Sequence, residues 1–390
     1  MCGITGIVNL NSTSPILEAN LRQMLAMIRH RGPDQFGIYH DEQAGLGSAR
    51  LSIIDLAGGQ QPICNEDGSL WIVFNGEIFN YIELRSMLEA RGHRFTTHTD
   101  TEVILHLIES FGPDGLHQLN GQFAIAIWDA AARSLFLARD RMGIRPLFYT
   151  EAGGALIFGS EIKAILADPR VRAEIDPVAL DQIFTYWSTL SPRTIFKGIA
   201  SLPPGHYLLA RRGRVAVEPY WQPAYPTESA PARSEADYLD EFRHLLTDAT
   251  HIRLRADVPV GAYLSGGLDS AIIGAMIRRY TGARLDTFSI AFDDPTFDES
   301  AYQQTMARHL GTSHQVVQAA NADIGRIFPS VVWHTETPIV RTAPAPMFML
   351  SQLVQQHGYK VVLTGEGADE LLAGYNIFKE AKIRRFWAVD

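Results

Sequence analysis

Residues 265–270 of this chain read Ser265-Gly266-Gly267-Leu268-Asp269-Ser270, and they give the strongest indication of how its second half folds. It follows directly on the apolar run Val258–Leu264, which predicts a strand, and it precedes Ala271–Tyr280, which predicts a helix. The two glycines let the backbone approach a ligand closely, the two serines add hydroxyl groups, and the helix N-terminus offers unpaired N–H groups. The turn therefore predicts a cradle for an anion, with an ordinary tight strand-to-helix turn as the alternative.

Acidic residues in this turn and in a second glycine turn indicate that the anion is bound together with a metal ion. No lysine follows the glycines, so the first turn is not a Walker loop, and Asp269 indicates a divalent cation, Mg²⁺, that neutralises a bound pyrophosphate. A second turn, Gly365-Glu366-Gly367-Ala368-Asp369-Glu370, follows the predicted strand Lys360–Thr364. Its three carboxylates repel one another unless a cation compensates. An acidic surface loop is the alternative, but two such turns after strands of one sheet favour a metal–nucleotide site.

The sequence around these turns predicts a parallel sheet. Strands separated by helices of ten or more residues are typical of βαβ crossovers, and ligands bind at the carboxyl ends of such strands. The predicted strands are Val258–Leu264, Leu285–Phe292, His314–Val317 and Lys360–Thr364, and the predicted helices are Ala271–Tyr280, Glu299–Leu310 and Pro346–His357.

The first half of the chain has a different organisation. Short apolar strands such as Ile4–Leu10 and Phe123–Trp128 occur among amphipathic helices such as Thr101–Phe111, which predicts sheet layered with helices. Between Gln222 and Asp237 the sequence is rich in Pro, Ala and Ser and lacks periodicity. We therefore predict a first domain at 1–210, a linker at 211–236 and a second domain at 237–390.

Composition excludes several classes of protein. The 390 residues are 46% hydrophobic and 20% charged, as in ordinary globular proteins, and the net charge of −9 without a long basic run argues against a nucleic-acid partner. Two cysteines are too few for a disulfide framework or a cysteine-rich zinc site, and the 13 histidines show no spacing typical of metal ligands. Without a signal peptide or an apolar run of about 18 residues, we expect a cytoplasmic protein with no membrane partner.

The start of the chain, Met1-Cys2-Gly3-Ile4, carries a candidate nucleophile. Removal of Met1 would give Cys2 both a thiol and the free α-amine of the chain. A neutral amine of pKa about 7.7 to 8.0 can accept the proton of a thiol of pKa about 8.5. This pairing is suited to attack on an amide carbonyl, although a cysteine at position two on its own is more often an ordinary packed residue.

Taken together, the motifs resemble those of glutamine-dependent asparagine synthetases. The resemblance covers the chain through Met1–Ile4, His30–Asp34, Arg50–Ile53, Asn75–Glu77, Asp100–Glu102, Ser265–Ser270 and Gly365–Gly367. It implies a two-domain protein of α/β and α+β class. The first domain would be a class II glutamine amidotransferase of the N-terminal-nucleophile (Ntn) αββα fold. The second would be a parallel-sheet α/β ATP-pyrophosphatase domain, similar to the adenine nucleotide α hydrolases.

For the first domain, the resemblance implies a glutaminase site. Cys2 would attack the side-chain amide of glutamine, while the side chain of Asn75 and the backbone N–H of Gly76 would hold the oxyanion. Arg50 would bind the α-carboxylate of glutamine, and Glu77 and Asp100 would face its α-ammonium group, because a zwitterion needs a cation at one end and carboxylates at the other.

For the second domain, the resemblance implies that ATP adenylates the β-carboxylate of aspartate and that ammonia then displaces AMP. Adenosine would pack on Leu264 and Ile290, and Glu366 would be the general base for ammonia. The other implied ATP-binding residues are Ser265, Gly266, Gly267, Asp269, Ser270, Thr364 and Gly365, and the implied ligands of Mg²⁺ are Asp269 and Asp369. The expected partners are therefore glutamine, aspartate and ATP, and a homodimer is compatible with the resemblance.

Two features leave alternatives open. Family members usually continue beyond the position of Asp390, with further helices and a lysine that binds the triphosphate, so we expect this chain to lack the C-terminal part of the family. One alternative is that another carboxylic acid takes the place of aspartate, since the domain pair also resembles β-lactam synthetases and lasso-peptide cyclases. Those relatives generally have no need of glutamine nitrogen, so the presence of Cys2, Arg50, Asn75 and Asp100 argues against them and favours an amidotransferase that uses glutamine nitrogen. A synthetase-inactive glutaminase or a binding scaffold is the other.

Overall fold

A computed structural model divides the chain into two units. The structure describes residues 1–12, 14–225, 233–281 and 285–387. The first unit is Met1–Ala232 together with Pro329–Arg341, and the second is Arg233–Phe328 together with Thr342–Asp390. The sequence predicted two domains but did not predict that residues 329–341 belong to the first. Every helix in the described part of the chain is too short or too polar to cross a membrane.

Two six-stranded antiparallel sheets form the first unit. One has the strand order β10-β8-β9-β1-β3-β2 and the other β12-β11-β7-β6-β5-β4. The strands are β1 (Gly3–Asn9), β2 (Gln35–His40), β3 (Ala44–Arg50), β4 (Ile63–Cys64), β5 (Leu70–Ile78), β6 (Gly121–Asp129), β7 (Ser134–Arg139), β8 (Phe148–Ala152), β9 (Ala155–Gly159), β10 (Ala200–Ser201), β11 (His206–Arg211) and β12 (Arg214–Pro219). The helices are α1 (Glu18–Met27), α2 (Tyr81–Ala90), α3 (Asp100–Phe111), α4 (Ile162–Leu166) and α5 (Pro177–Tyr186).

The apolar cores of this unit show how its layers stack. Ile4 of β1 and Val73 of β5 belong to one buried cluster, so the two sheets pack face to face. Helices α2 and α3 cover the other face of the β5 sheet, with Leu88 and Val103 fully buried, and α1 and α4 cover the other face of the β1 sheet. Each fully buried aliphatic side chain contributes about 1.5 to 3 kcal/mol to the stability of the fold. The arrangement confirms the αββα layers that the family resemblance implied.

The second sheet of this unit extends further along the chain than the sequence predicted. Strand β12 pairs with β11 from Arg211↔Arg214 to His206↔Pro219, so the second sheet extends beyond residue 210, where we expected the first domain to end. Of the expected linker at 211–236, residues 226–232 lie outside the described part of the chain.

A four-stranded parallel sheet forms the centre of the second unit, with the order β15-β14-β13-β16. The elements from residue 235 onward are α6 (Glu235–Ile252), β13 (Val260–Tyr263), α7 (Leu268–Thr281), β14 (Asp286–Phe292), α8 (Ser300–Leu310), β15 (Ser313–Ala319), α9 (Asn321–Thr335), α10 (Pro344–Gln356), β16 (Val361–Leu363), α11 (Ala368–Leu372) and α12 (Asn376–Trp387). The predicted parallel sheet is confirmed. Since β13 and β16 are neighbours, the two glycine turns follow adjacent strands.

Candidate active sites

Cys2 lies directly before β1, which pairs with β3 on one side and β9 on the other. Its side chain is buried, with 8% of the residue exposed. The Sγ atom lies 3.4 Å from the backbone N of Leu51, which donates to it, and 3.7 Å from the carbonyl oxygen of Leu51, to which the thiol donates. Arg31 Nε donates to the carbonyl oxygen of Cys2 at 2.9 Å. The thiol is therefore held at a fixed place by the backbone around it.

The amino terminus beside Cys2 is in an environment that favours a neutral amine. In the structure this amine belongs to Met1, and burial lowers its pKa to about 5, with a further decrease from the charges of Arg145 and Arg31. A neutral amine at this place can accept a proton near pH 7.

Asn75 and Gly76 lie in β5, opposite Ala124 and Phe123 of β6. Asn75 is fully buried, and within the described part of the chain neither its Oδ1 nor its Nδ2 has a hydrogen-bond partner. A buried polar group without a partner costs about 1 to 3 kcal/mol, so such a side chain points to a ligand. At Gly76 a Cβ would lie 2.2 Å from the carbonyl oxygen of Gln122, which explains the need for glycine.

Arg50, the last residue of β3, is a buried cation, 5% exposed. Its guanidinium donates to Gln35 Oε1 at 2.7 Å and to the carbonyl oxygens of Ile54 and Asp55 at 2.7 and 2.9 Å. Burial lowers its pKa, although the nearby Cys2, Asp55 and Asp100 act in the opposite direction. The guanidinium is therefore positioned by neutral acceptors, and its charge is available to a carboxylate ligand.

Asp100 and Glu77 are the buried carboxylates of this site, 6% and 5% exposed. Asp100 begins α3, where Thr99 is the N-cap, and its Oδ2 accepts from the backbone N of Ile78 at 2.9 Å. Burial raises the pKa of Asp100 to about 6, although Arg50 acts in the opposite direction. Because Ile78 directly follows Glu77 in β5, the two carboxylates lie on neighbouring segments.

Two features near Cys2 were not predicted from the sequence. The guanidinium of Arg145 is close enough to Glu77 and Cys2 for their charges to affect its pKa, which burial lowers. The run Asp140–Phe148, rich in charge directly after the buried strand β7, was the available indication. Arg31 also donates to Glu161 at 2.8 Å, and this carboxylate accepts from Lys163 as well.

The network around Glu161 also involves residues 329–341. Lys163 Nζ lies 3.0 Å from Glu336, whose carboxylate accepts from the backbone N of Ile162 at 2.6 Å and of Lys163 at 2.7 Å. Burial raises the pKa of Glu161, but His30, Arg31 and Lys163 outweigh this effect and hold it well below its usual value. His30, whose role the sequence did not explain, contacts Glu161 through Nε2 at 2.9 Å, at the exposed edge of this network.

In the second unit, the two glycine turns border one cavity of about 270 Å³. A Cβ on Gly365 would lie 2.9 Å from Asp269 Cβ and from the backbone N of Ser270, so the turns are in direct contact. Among the residues expected to bind ATP or metal, those that line the cavity are Leu264, Ser265, Asp269, Ser270, Ile290, Thr364, Gly365, Glu366 and Asp369. Gly266, at φ 86°, and Gly267 form the turn between Ser265 and Leu268.

Hydrogen bonds fix the shape of the first turn. Ser270 Oγ accepts from the backbone N of Ser265 at 3.1 Å and donates to the carbonyl oxygen of Gly267 at 3.1 Å. Asp269 lies in the first turn of α7, and Leu264 is buried beneath the cavity with 1% exposure. The cavity therefore has an apolar floor, and its hydroxyl groups and helix N-terminus are suited to binding the phosphates of a nucleotide.

Comparison with known proteins finds a family for each part of the chain. Residues 1–221 match the glutamine amidotransferase domain family, and residues 241–390 match the asparagine synthase family. Asparagine synthetase [glutamine-hydrolyzing] 1 of Bacillus subtilis (strain 168) is 36% identical over 97% of this chain and 60% of its own length. Asparagine synthetase [glutamine-hydrolyzing] 3 of the same organism is 34% identical over 98% of this chain and 64% of its own.

A third relative carries a different name. Amidase chyE of Penicillium rubens is 35% identical over 97% of this chain and 60% of its own length. The chain thus spans less than two thirds of the length of these relatives. The model of the glutamine amidotransferase domain family matches more than half of the chain and that of the asparagine synthase family matches its second part, so the chain belongs to the glutamine amidotransferase domain family and carries an asparagine synthase region after that domain.

Proposed function

We propose that this protein is a glutamine-dependent asparagine synthetase. It would hydrolyse glutamine to glutamate and ammonia, adenylate aspartate with ATP, and transfer the ammonia to give asparagine, AMP and pyrophosphate. The observation that carries the proposal is the buried amide of Asn75, which has no hydrogen-bond partner within the described residues. Asn75 lies in β5, and β5 packs against β1, the strand that begins directly after Cys2.

The glutaminase step uses residues of the first unit. After removal of Met1, the α-amine of Cys2 takes the proton of the thiol, and Sγ attacks the side-chain carbonyl carbon of glutamine. Asn75 Nδ2 and the backbone N–H of Gly76 donate to the oxyanion, and one such donor can contribute about 3 to 4 kcal/mol to catalysis. The amine returns the proton to the leaving ammonia, and water hydrolyses the thioester to glutamate.

Glutamine would be held by charge at both ends of its backbone. Its α-carboxylate pairs with Arg50, whose guanidinium has only neutral acceptors among the described residues, and its α-ammonium group lies between Asp100 and Glu77. Charge-assisted hydrogen bonds of this kind are about twice as strong as neutral ones.

The second unit would bind ATP in the cavity between its glycine turns. Leu264 and Ile290 contact adenosine, while the hydroxyl groups of Ser265 and Ser270 and the backbone of Gly266, Gly267, Thr364 and Gly365 contact the phosphates. The carboxylates of Asp269 and Asp369 line this cavity, and such oxygen donors fit Mg²⁺, which would neutralise phosphate charge. Glu366 would act as the base for the attacking ammonia.

The identity of the acid that accepts ammonia can be determined by measuring the release of pyrophosphate. Purified protein is supplied with ATP, Mg²⁺, glutamine and either aspartate or one of a panel of other carboxylic acids. We expect pyrophosphate release with aspartate above all other acids. The amidase-named relative makes amide transfer to another acid the second candidate function, and release with a different acid but not with aspartate would favour it over the first.

A further inference from the structure

A cluster of two histidines and two glutamates lies in the first unit, away from the residues assigned to glutamine. Glu66 follows β4, His93 lies between α2 and α3, and His106 and Glu109 lie on α3. One side-chain ligand atom from each of the four lies within 4.8 Å of all the others. Glu66 and Glu109 are 43 positions apart in the sequence, and only the fold brings the four residues together.

The distances in the cluster resemble those between ligands of one small cation. Nδ1 of His106 lies 3.1 Å from Glu109 Oε2 and 3.8 Å from Glu66 Oε2, and Nδ1 of His93 lies 3.5 Å from the same oxygen of Glu109. Tetrahedral zinc with bonds of about 2.0 to 2.1 Å places its ligand atoms about 3.4 Å apart. Small side-chain shifts would therefore complete the coordination.

Three of the four atoms that point away from the cluster have hydrogen-bond partners of the kind that orient metal ligands. Nε2 of His93 lies 2.6 Å from Ser110 Oγ. Nε2 of His106 is the exception, since it is buried without a hydrogen-bond partner among the described residues and lies 3.8 Å from Glu102. The second oxygen of Glu66 accepts from the backbone N of Arg94 at 3.0 Å. The second oxygen of Glu109 accepts from Asn65 at 3.1 Å. Outer partners of this type fix the ring tautomer and the orientation of ligands at zinc sites.

We propose that Glu66, His93, His106 and Glu109 form a structural zinc site. Two neutral imidazoles, two carboxylates and Zn²⁺ give an arrangement with no net charge, which is suited to the buried position of His106, 0% exposed. Imidazole together with carboxylate favours zinc over magnesium or calcium. Four protein ligands leave no position for a reacting group, so the role is structural, and the exposed side chain of Glu66, 40% accessible, gives the ion its path of entry.

The site would fasten α3, which carries Asp100 at its first turn, to the segments that carry Glu66 and His93.

The experiment measures metal binding by the full chain without a histidine tag, after treatment with a chelator. Titration with Zn²⁺ followed by metal analysis should show one tightly bound ion per chain and a higher midpoint of thermal unfolding. Co²⁺ as a probe should give the intense visible bands of tetrahedral coordination without a thiolate charge-transfer band. His93→Ala and Glu109→Gln should each lower the affinity for Zn²⁺ at least tenfold, whereas His98→Ala, at an exposed histidine outside the cluster, should leave it unchanged.

Two results would overturn the proposal. One is a wild-type chain that binds no Zn²⁺ at a free concentration of about 100 μM, which corresponds to a binding free energy weaker than about 5.5 kcal/mol. The other is equal affinity in the wild type, His93→Ala and Glu109→Gln, since the ion would then bind elsewhere. Because the readouts are metal content and unfolding, they are independent of glutamine hydrolysis.

Discussion

At the scale of single residues, Asp100 links the binding of glutamine to pH. Burial raises its pKa to about 6, and a carboxylate that pairs with an ammonium group must be ionised. The KM for glutamine should therefore rise as the pH falls through about 6, while kcat is affected less. KM measured between pH 5 and 8 checks this, and a KM that stays constant below pH 6 would exclude Asp100 from ammonium binding.

The raised pKa of Asp100 also makes the stability of the folded protein depend on pH. The folded pKa of about 6 exceeds the unfolded value of about 3.9, so the folded state binds more protons between these values and the free energy of unfolding decreases as the pH rises. Asp100→Asn should raise the free energy of unfolding at pH 8, by up to about 3 kcal/mol, and weaken glutamine binding. Denaturant unfolding measures the first effect, and a loss of stability in the variant would contradict it.

Asn75 gives a second prediction at this scale. Asn75→Ala should lower kcat for glutamine hydrolysis about 100- to 1,000-fold, because it removes one donor to the oxyanion. It should change the midpoint of thermal unfolding by only about 3 °C or less, since the amide has no partner in the described structure to lose. A large loss of stability with little loss of kcat would show a structural role instead.

The sequence pointed to candidate site residues where they belong to a recognisable motif. It did not point to residues that only the fold brings near the site. Of the residues proposed for the glutaminase site, Cys2, Arg50, Asn75, Glu77 and Asp100 are all buried. Arg145 and Glu336 were not predicted, because their positions depend on tertiary contacts. Glu366 is exposed, and its role as a base stays a prediction.

At the scale of elements, the Lys163 network connects α4 to residues 329–341. Lys163→Met would leave Glu161 and Glu336 buried with less compensating charge, and removal of one partner from such a pair costs about 3 to 5 kcal/mol. The midpoint of thermal unfolding should fall by several degrees. Lys197→Ala, which removes an exposed pair with Glu174, is the matched control and should have little effect. Equal midpoints in both variants would show that the buried network contributes no stability.

The contact between the two glycine turns gives another prediction. In Gly365→Ala the new methyl group would lie 2.9 Å from Asp269 Cβ, so the turns must separate and the KM for ATP should rise about tenfold or more. Glutamine hydrolysis should be unchanged. Gly325→Ala, where nothing lies within 4 Å of the new Cβ, is the control. Unchanged ATP dependence in Gly365→Ala would remove the turn from the nucleotide site.

Elements were predicted best where hydrophobic periodicity is strong, as in α3 and β14. Strand β3, Ala44–Arg50, was not predicted because Ala, Gly and Ser lack the β-branched side chains that mark strands. Helix α9 was not predicted either, and Pro329 within it weakens a helical pattern.

At the scale of the whole molecule, the class of fold followed from the sequence, while the division of the chain did not. Alternation of strands and helices predicted the parallel sheet, and the family resemblance implied the αββα layers. That residues 329–341 belong to the first unit depends on Glu336 meeting Lys163, which no local pattern reveals.

If Cys2 is the nucleophile of a glutaminase, the rate of glutamate formation from glutamine depends on its thiol. The rate is measured for the wild type, Cys2→Ala and Cys64→Ala, the last removing the other cysteine of the chain. We predict a fall of at least about 1,000-fold in Cys2→Ala and a change within about twofold in Cys64→Ala. Equal rates in the wild type and Cys2→Ala would contradict the assignment.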